Sequence, residues 1–242
     1  MNSNKLCLVM TATIKPGVDN YLERADPKLR RDDYKKSLKL WLNNLKKEIP
    51  ICLVENSASD LSNLRKIGKK SKNDCEFLSF DGHSFPKEKG KGYGEMKALE
   101  YAVLNSRVIG KADYFMKVTG RYFVENSRYF FEHIAAEELY VMADLKRRLS
   151  FSDSRIFGGR KEFLEEYLIP RKKELNDSRG IYMEHALAKS TLEAILDSRK
   201  WDLLPKYPHI RGVSGKSGKR YNQGILKRIY RYGKNKVKRL II

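Results

Sequence analysis

The residues best suited to chemistry follow an apolar run near the middle of the sequence. Residues 113–118 have the composition of a buried strand, which stops at Thr119 and Gly120 and presents Arg121 at its carboxyl end. Ligands of open α/β sheets bind at the carboxyl ends of the strands, and a guanidinium there offers a planar fork of donors for an anion. Arg121 is therefore a candidate anion-binding residue. The alternative is a solvated arginine with no function.

A segment rich in glycine and lysine precedes this strand. Residues 87–95 alternate these two residue types and stand before a predicted helix at 96–104. The backbone amides of such a segment, together with the positive end of a helix, can surround an anion. Lys91 and Gly92 are therefore candidate binding residues. The glycine spacing matches neither the Walker phosphate loop nor the dinucleotide-binding pattern, and a flexible surface turn is the alternative.

A second segment of similar composition lies towards the C-terminus. Residues 209–221 contain Ser214 and Lys216 among several glycines. Glycines and lysines in such a loop can fold over bound phosphate groups, as a lid does. A flexible linker to the C-terminal tail is the alternative.

Apolar runs and helical spacings alternate along the first half of the sequence. Four such units imply an α/β fold with a largely parallel, doubly wound sheet flanked by helices. The second half is less regular. The predicted strands are 6–10, 51–54, 76–80, 113–118, 141–144 and 156–159, and the predicted helices are 32–48, a short helix from 59, 96–104, 161–168 and 183–197.

The motifs at 90–95 and 117–122 carry a resemblance to a known family. Gly-Lys-Gly-x-Gly-Glu, then a helix, then Lys-x-Thr-Gly-Arg-Tyr is similar to a group of bacterial polysaccharide glycosyltransferases of the capsule and O-antigen type. The resemblance covers roughly residues 6–218 in element order, and its specific motifs are few and short. It implies a GT-A-like fold that transfers a sugar from a nucleotide-diphosphate donor to a surface-glycan or lipid-linked acceptor.

The resemblance also implies how the diphosphate leaving group is held. Many GT-A transferases carry an Asp-x-Asp that binds a divalent metal, and Thr119-Gly120-Arg121 stands in its place here. No metal and no other cofactor is therefore expected, and the alternative is a metal bound through Asp144 or Asp153. Arg121 and Lys117 would stabilise the diphosphate, with help from Lys91, Ser214 and Lys216.

Residues after the first two strands would bind the nucleotide in such a fold. These are Thr11 and Thr13 after the first strand and Glu55 and Asn56 after the second, together with Gly92. Threonine hydroxyls can meet base carbonyls, and a carboxylate can accept hydrogen bonds from ribose hydroxyls. For each residue taken separately, a turn or helix-capping role is the alternative.

The catalytic residues that the resemblance implies lie in the second half. An inverting transfer needs a carboxylate that takes the proton from the attacking hydroxyl. Glu184, at the start of a predicted helix, is the first candidate and Asp153 the second, while Arg155 and His185 would line the acceptor or sugar pocket. The alternatives are a carboxylate that only favours the helix N-terminus, a salt-bridged turn at 153–155 and a packing histidine. A retaining mechanism also stays open.

The charge of the chain indicates an anionic partner. Fifty basic and 30 acidic residues give a net charge of +20, which suits nucleotides, nucleic acid or anionic lipid. We divide the chain into a transferase domain at 1–209 and a basic loop and tail at 210–242, which contains eleven Lys and Arg and no acidic residue. The mixture of cations with Ile, Leu and Tyr in the tail suits an anionic membrane surface.

Two other functions compete with the transferase. A nucleic-acid-binding protein would also use the basic tail, although no recognised nucleic-acid motif occurs and nucleic acid is not the expected partner. A non-catalytic subunit could bind nucleotide sugar without transferring it.

Cysteine usage and hydropathy bear on location. Cys7, Cys52 and Cys75 form an odd count without a Cys-x-x-Cys pair, which predicts free thiols in a reducing compartment. The sequence shows no signal peptide and no apolar stretch approaching the roughly 18 residues of a membrane span. We therefore predict a cytoplasmic protein, with peripheral docking of the tail at the inner face of the cell membrane as an option.

Overall fold

A seven-stranded mixed sheet forms the centre of the structure, a computed structural model that describes residues 5–17 and 22–221. The strands in these ranges are β1 (Leu6–Ala12), β2 (Ile51–Glu55), β3 (Cys75–Ser79), β4 (Tyr114–Thr119), β5 (Phe123–Val124), β6 (Val141–Met142), β7 (Leu145–Lys146), β8 (Phe151–Ser152), β9 (Ile156–Arg160), β10 (Trp201–Asp202) and β11 (Ile210–Arg211). The order across the large sheet is β10-β6-β9-β4-β1-β2-β3. Strands β1 to β4 run parallel, whereas β9 runs antiparallel to β4 and β6. The predicted α/β class with a largely parallel sheet is confirmed.

Helices flank both faces of this sheet, and the sheet separates the hydrophobic core into two clusters. The α-helices in the described ranges are α1 (Pro27–Asn44), α2 (Ser62–Gly68), α3 (Gly90–Asn105), α4 (Arg107–Gly110), α5 (Arg128–Ala136) and α6 (Met183–Leu196). Successive side chains of a strand point to opposite faces. Met10 of β1 accordingly packs in the cluster of Trp41 from α1, and Val9 packs in the cluster of Leu99 from α3.

The central strands end level with one another. Both β1 and β4 are covered on two faces, so apolar residues follow one another along them. Their register sets Thr11 opposite Thr119. The next residue, Gly120, donates its N–H to the carbonyl oxygen of Thr11 at 2.8 Å. A Cβ at Gly120 would stand 2.7 Å from that oxygen, so this close approach requires glycine.

The first glycine-rich segment is not the loop that we predicted. A 3-10 turn covers Lys87–Lys89, and α3 begins directly at Gly90, whose φ is 71°. A Cβ at Gly90 would stand 2.1 Å from the side chain of Asp177. The prediction of a loop was wrong because these glycines allow the helix start to approach a neighbouring segment closely, and they do not interrupt the helix.

The predicted helix at 161–168 also differs in the structure. A single π-helical turn covers Leu164–Leu168, and a 3-10 helix follows at Ile169–Glu174. Pro170 lies in the first turn of the 3-10 helix, where it has no N–H to donate to the preceding turn. The segment is therefore helical, as predicted, but it does not form a regular α-helix.

Three further predictions concern thiols, membranes and the tail. The three cysteines are free, and burial raises the pKa of Cys52 to about 12 and that of Cys75 to about 11. Among the described residues, no helix combines the length and apolar character needed to cross a membrane. Residues 222–242, most of the predicted membrane-binding tail, lie outside the described ranges.

Candidate active site

The carboxyl edge of the sheet gathers most of the predicted site residues. The strand order reverses between β1 and β4, because β2 and β3 continue on one side and β9 on the other. Such a reversal leaves a crevice at the carboxyl ends of the strands, where ligands of α/β proteins bind. The N-terminal turns of α3 and α6 and the 153–155 segment before β9 meet at this edge.

A buried lysine at the centre of this edge links three elements. Lys117 of β4 is fully buried, and its Nζ donates to Oε1 of Glu95 at 2.5 Å and to the carbonyl oxygen of Ser154 at 2.6 Å. The ring centroid of Phe157 lies 5.6 Å from Nζ. A buried ammonium group needs such partners, because leaving water without them is energetically costly. Lys117 thereby joins β4, the start of α3 and the segment before β9.

The partner carboxylate lies where this network meets solvent. Glu95 is 23% exposed, and its Oε1 also accepts a hydrogen bond from the hydroxyl of Thr11 at 2.8 Å. Burial alone would raise the pKa of Glu95, but the charge and hydrogen bond of Lys117 hold it below its ordinary value of 4.5. The geometry therefore does not support our prediction that Lys117 contacts a diphosphate directly, because protein groups already occupy its ammonium.

Ser154 extends the network to the candidate general base. Its carbonyl oxygen accepts from Lys117, while its hydroxyl donates to Oε1 of Glu184 at 2.8 Å. Glu184 lies in the first turn of α6 and is half-buried. The positive end of the helix favours its negative charge. The structure thus holds this carboxylate at the carboxyl edge of the sheet in a fixed orientation.

The second candidate base, Asp153, is committed to ion pairs. Arg155 donates to its two oxygens through Nε at 2.8 Å and Nη2 at 2.6 Å, and Nζ of Lys146 lies 3.4 Å from it. Burial would raise the pKa of Asp153, but Arg155 and Lys146 hold it far below its ordinary value of 3.8. A carboxylate that binds protons so weakly is a poor base at neutral pH. Glu184 is the better candidate, and Arg155 is occupied by Asp153.

The two aspartates near the carboxyl edge that could bind a metal are paired with a basic side chain. Residues 119–121 supply a hydroxyl, a hydrogen and a guanidinium in place of two carboxylates. Asp144 and Asp153 both face the ammonium of Lys146, at 3.3 and 3.4 Å. Within residues 5–17 and 22–221, no three His, Cys, Asp or Glu side chains are arranged to hold a metal ion.

Arg121 keeps a donor that the described residues do not use. Its side chain is half-buried, and its buried Nε has no acceptor in the described part of the chain. Burial disfavours the charge, but Tyr34, Tyr122 and Glu95 nearby hold the pKa of Arg121 above the ordinary arginine value. The guanidinium carbon lies 5.3 Å from the ring centroid of Tyr122. Arg121 therefore combines a permanent positive charge with free hydrogen-bonding capacity at the end of β4.

The second glycine-rich segment folds back onto Arg121. A Cβ at Gly215 would stand 2.6 Å from Nη2 of Arg121. The segment is a hairpin, in which the N–H of Ser214 donates to the carbonyl oxygen of Lys219 at 2.9 Å. Lys216 is exposed at its tip. The structure thus brings Ser214 and Lys216 close to Arg121, and their contact with a diphosphate stays a prediction.

The predicted nucleotide-binding residues meet after β1 and β2, where they mostly bind one another. Oγ1 of Thr13 donates to Oδ1 of Asn56 at 2.7 Å, and Nδ2 of Asn56 donates to the carbonyl oxygen of Gly94 at 2.9 Å. Glu55 is fully buried. Its carboxylate accepts from the backbone N–H groups of Ile14, Ser57 and Ser59. Glu55 therefore holds the loop after β1 against the loop after β2. Its buried carboxylate is not available to bind a ribose, as we had predicted it to be.

The remaining predicted residues lie at the starts of α3 and α6. Lys91 is exposed. Gly92 is buried against α6, since a Cβ there would stand 3.0 Å from the backbone nitrogen of Met183. It therefore serves helix packing and does not face a nucleotide. His185 adjoins Glu184, and its Nδ1 accepts from the N–H of Tyr182 at 3.1 Å.

A cavity lies at the opposite edge of the sheet. Its volume is about 460 Å³, and both apolar and charged residues line it, among them Ile49, Phe131, Lys46 and Arg107. None of the predicted site residues is among those that line it. We therefore place the candidate active site at the carboxyl edge, where those residues meet.

Two residues of this arrangement have no role in the sequence predictions. Glu95 stands out only as the last residue of the motif at 90–95, and Ser154 only as part of the turn at 153–155. The available signal is Lys117, because a lysine inside an apolar strand requires an anionic partner. That partner lies 22 residues earlier, and no local pattern points to it.

Replacing Lys117 tests the buried ion pair. We expect K117M to lower the free energy of unfolding by about 3 kcal/mol, because Glu95 loses its cation in a largely buried position. K117M/E95Q should recover part of this loss, since it also removes the unpaired charge. Urea denaturation measures both changes. The control K111M, at an exposed lysine before β4, should change stability by less than about 0.5 kcal/mol. Equal losses in the single and double variants would contradict the pairing.

The paired carboxylates predict a loss of stability in acid. In the folded protein, the pKa values of Glu95 and Asp153 lie below their ordinary values of 4.5 and 3.8, so the unfolded chain binds more protons in acid. The stabilisation is fully present above about pH 5 and decreases as pH falls, by up to about 1.4 kcal/mol per pH unit for each group. Unfolding measured from about pH 3 to pH 7 checks this. E95Q should show a shallower decrease, and an unchanged slope would assign the loss to other groups.

Comparison with known proteins concerns the fold. No protein-family model and no curated protein matches this chain. Among solved structures, S. aureus TarS 1-349 in complex with UDP-GlcNAc has a TM-score of 0.50 and 12% identity over 89% of this chain and 61% of that chain. S. aureus TarS 1-349 has a TM-score of 0.50 and 11% identity over 84% of this chain and 59% of that chain. The glycosyltransferase GlyE of Streptococcus pneumoniae TIGR4 has a TM-score of 0.49 and 10% identity over 84% of this chain and 46% of that chain.

These similarities are limited in sequence and in extent. The chain spans 46% to 61% of the length of these proteins at 10% to 12% identity, so the likeness concerns architecture alone. A mostly parallel sheet with flanking helices is the architecture that this chain shares with S. aureus TarS 1-349. The chain therefore has a GT-A-type α/β fold, as the motifs at 90–95 and 117–122 predict.

Proposed function

We propose that this chain transfers a sugar from a nucleoside-diphosphate donor to a hydroxyl group of a glycan acceptor. The observation that carries the proposal is Arg121, a half-buried cation at the carboxyl end of β4 whose Nε has no acceptor among residues 5–17 and 22–221. It stands in the position of the metal-binding Asp-x-Asp of many GT-A transferases. A guanidinium suits a diphosphate by charge and by the geometry of its donors. The choice of a bacterial surface-glycan or lipid-linked acceptor rests on the family resemblance.

In the proposed reaction, Arg121 binds the diphosphate and Glu184 faces the acceptor hydroxyl. The acceptor oxygen forms a bond to the anomeric carbon while the bond from that carbon to the diphosphate breaks. Glu184 takes the hydroxyl proton, and Arg121 stabilises the negative charge of the leaving diphosphate. Ser154 orients Glu184 through its hydrogen bond of 2.8 Å. Lys117 acts indirectly, because it fixes Ser154.

The hairpin at 212–221 supports the charge of Arg121 in this proposal. Gly215 already lies against the guanidinium, and exposed Lys216 follows it. A small movement of the hairpin would add a second cation to the diphosphate. Metal independence is part of the proposal, since these cations do the work that a divalent ion does elsewhere.

Nucleotide binding tests the proposed donor site. A panel of nucleoside diphosphates, beginning with UDP because a protein of similar fold is solved with UDP-GlcNAc, is measured by thermal unfolding with Mn²⁺ or with EDTA. Ligand at 100 times its dissociation constant adds about 2.7 kcal/mol, or roughly 5–10 °C for a chain of this size. We expect one nucleotide to raise the melting temperature equally in both buffers, and R121A to lose the response.

The control for this measurement is R128A, which removes an exposed arginine at the start of α5. It should keep the full response. A response that EDTA abolishes would overturn metal independence and keep the donor site. The absence of a response to every nucleotide would overturn the proposal and favour nucleic acid as the partner, which binding of oligonucleotides at several salt concentrations would then measure.

Replacing Glu184 separates transfer from nucleotide binding. We expect E184Q to bind the nucleotide as the parent protein does, because Gln keeps the hydrogen bond from Ser154. Transfer should fall by about 10²- to 10⁴-fold, since Gln cannot take a proton. Release of nucleoside diphosphate in the presence of acceptor measures this rate. Full transfer by E184Q would exclude Glu184 as the base and favour a retaining mechanism.

A further inference from the structure

An exposed turn beside the candidate active site has an unusual backbone. It connects β7 to β8, and its residues Arg147, Arg148 and Leu149 have φ values of 51°, 55° and 67°. Residues other than glycine rarely adopt this left-handed conformation, because their Cβ crowds the backbone. Ser150 holds the turn by donating its N–H and its hydroxyl to the carbonyl oxygen of Arg147, at 3.3 and 2.8 Å. The strained turn therefore presents two guanidinium groups and a leucine to solvent.

Aromatic rings form a platform next to this turn. The guanidinium of Arg147 lies 4.4 Å from the ring centroid of Phe151. Phe151 meets His185 edge-to-face, with centroids 5.4 Å apart, and His185 stacks on Tyr182 at 5.5 Å. Tyr182 is 42% exposed. The face of a sugar ring packs well on exposed aromatic rings of this kind, because both surfaces are amphipathic.

The platform is continuous with the candidate catalytic residues. His185 follows Glu184 directly, and β8 packs against α6. Ser154, which holds Glu184, comes shortly after β8. The carboxylate of Asp153 behind the turn is already paired with Lys146 and Arg155. The two arginines of the turn are therefore not drawn towards it.

We propose that this platform and the turn at 147–149 form the acceptor subsite, and that it binds a sugar residue carrying a carboxylate or a phosphate. This inference rests on the proposed transferase function. The aromatic rings would carry the sugar face, and Arg148, with Arg147 beside it, would bind the anionic group through paired hydrogen bonds. Backbone preference does not explain why arginine and leucine occupy this turn, because glycine would adopt the same φ values without strain. The side chains at these positions therefore have a use that outweighs the strain.

Binding of matched glycosides tests the subsite without any transfer reaction. Methyl β-glucuronide and methyl β-glucoside differ only at C6, which is a carboxylate in the first and a hydroxymethyl group in the second, and methyl β-glucoside 6-phosphate carries a phosphate there. Saturation-transfer NMR titration measures their dissociation constants in the presence of the nucleoside diphosphate that binds. We expect at least one anionic sugar to bind roughly ten-fold or more tightly than the neutral glycoside. Comparison of the two anionic sugars shows which group is preferred.

Variants of the turn locate the preference. R147A/R148A should bind the anionic and neutral sugars equally. K69A/K70A, which lowers the net charge by the same amount at the exposed end of α2, should keep the preference. R147G/R148G should lose the preference and melt at a higher temperature, since glycine removes the strain. This variant keeps the test valid if the alanine variant fails to fold.

The outcomes separate this inference from the proposed function. Equal binding of all three sugars by the parent protein, or an anionic preference that survives both double variants of the turn, would overturn the subsite while the nucleotide response still supports a transferase. Loss of the preference in K69A/K70A would also overturn it, because general charge would then be the cause. Absence of any nucleotide response in the parent protein would instead overturn the transferase itself.

Discussion

The carboxyl edge of the sheet, where the candidate active site lies, depends on one buried charge, the ammonium group of Lys117. A lysine in the middle of a central strand has no water around it, so protein acceptors must meet its charge. Glu95 and the carbonyl group of Ser154 are those acceptors. They belong to α3 and to the segment before β9. Satisfying one charge therefore fixes the relative positions of three parts of the chain around the end of β4.

The arrangement separates charges that build the site from charges that are available to a ligand. Asp153 is neutralised by Arg155 and Lys146, and Glu55 is enclosed by backbone donors. The Nε of Arg121, by contrast, has no acceptor within the part of the chain that the structure describes. The net charge of +20 indicates an anionic partner only in general terms. Pairing of individual charges shows where such a partner would bind, because a paired cation has little left to offer.

Local rules of structure are followed in the sheet and broken beside the site. The apolar strands, the helix starts and the packing glycine at 92 all agree with one fold. The turn at 147–149 places three residues with side chains in a conformation that suits glycine. Disagreement of this kind between local preference and observed structure is expected where function sets the requirement. The position of this turn near Glu184 agrees with a functional requirement of this kind.

The sequence by itself determined the architecture and predicted the sheet edge at which the candidate site lies. Strands buried on two faces must be continuously apolar, so they are visible as local runs, and Arg121 is visible because it directly follows one of them. The tertiary structure alone decided which groups pair. Lys117 meets Glu95 across 22 residues, and Ser154 meets Glu184 across 30. Such pairing depends on strand register and on how closely α3 and α6 approach, and neither is written in local composition. Gly90, predicted as a loop residue, begins α3 where it lies against Asp177, another contact that local composition does not show.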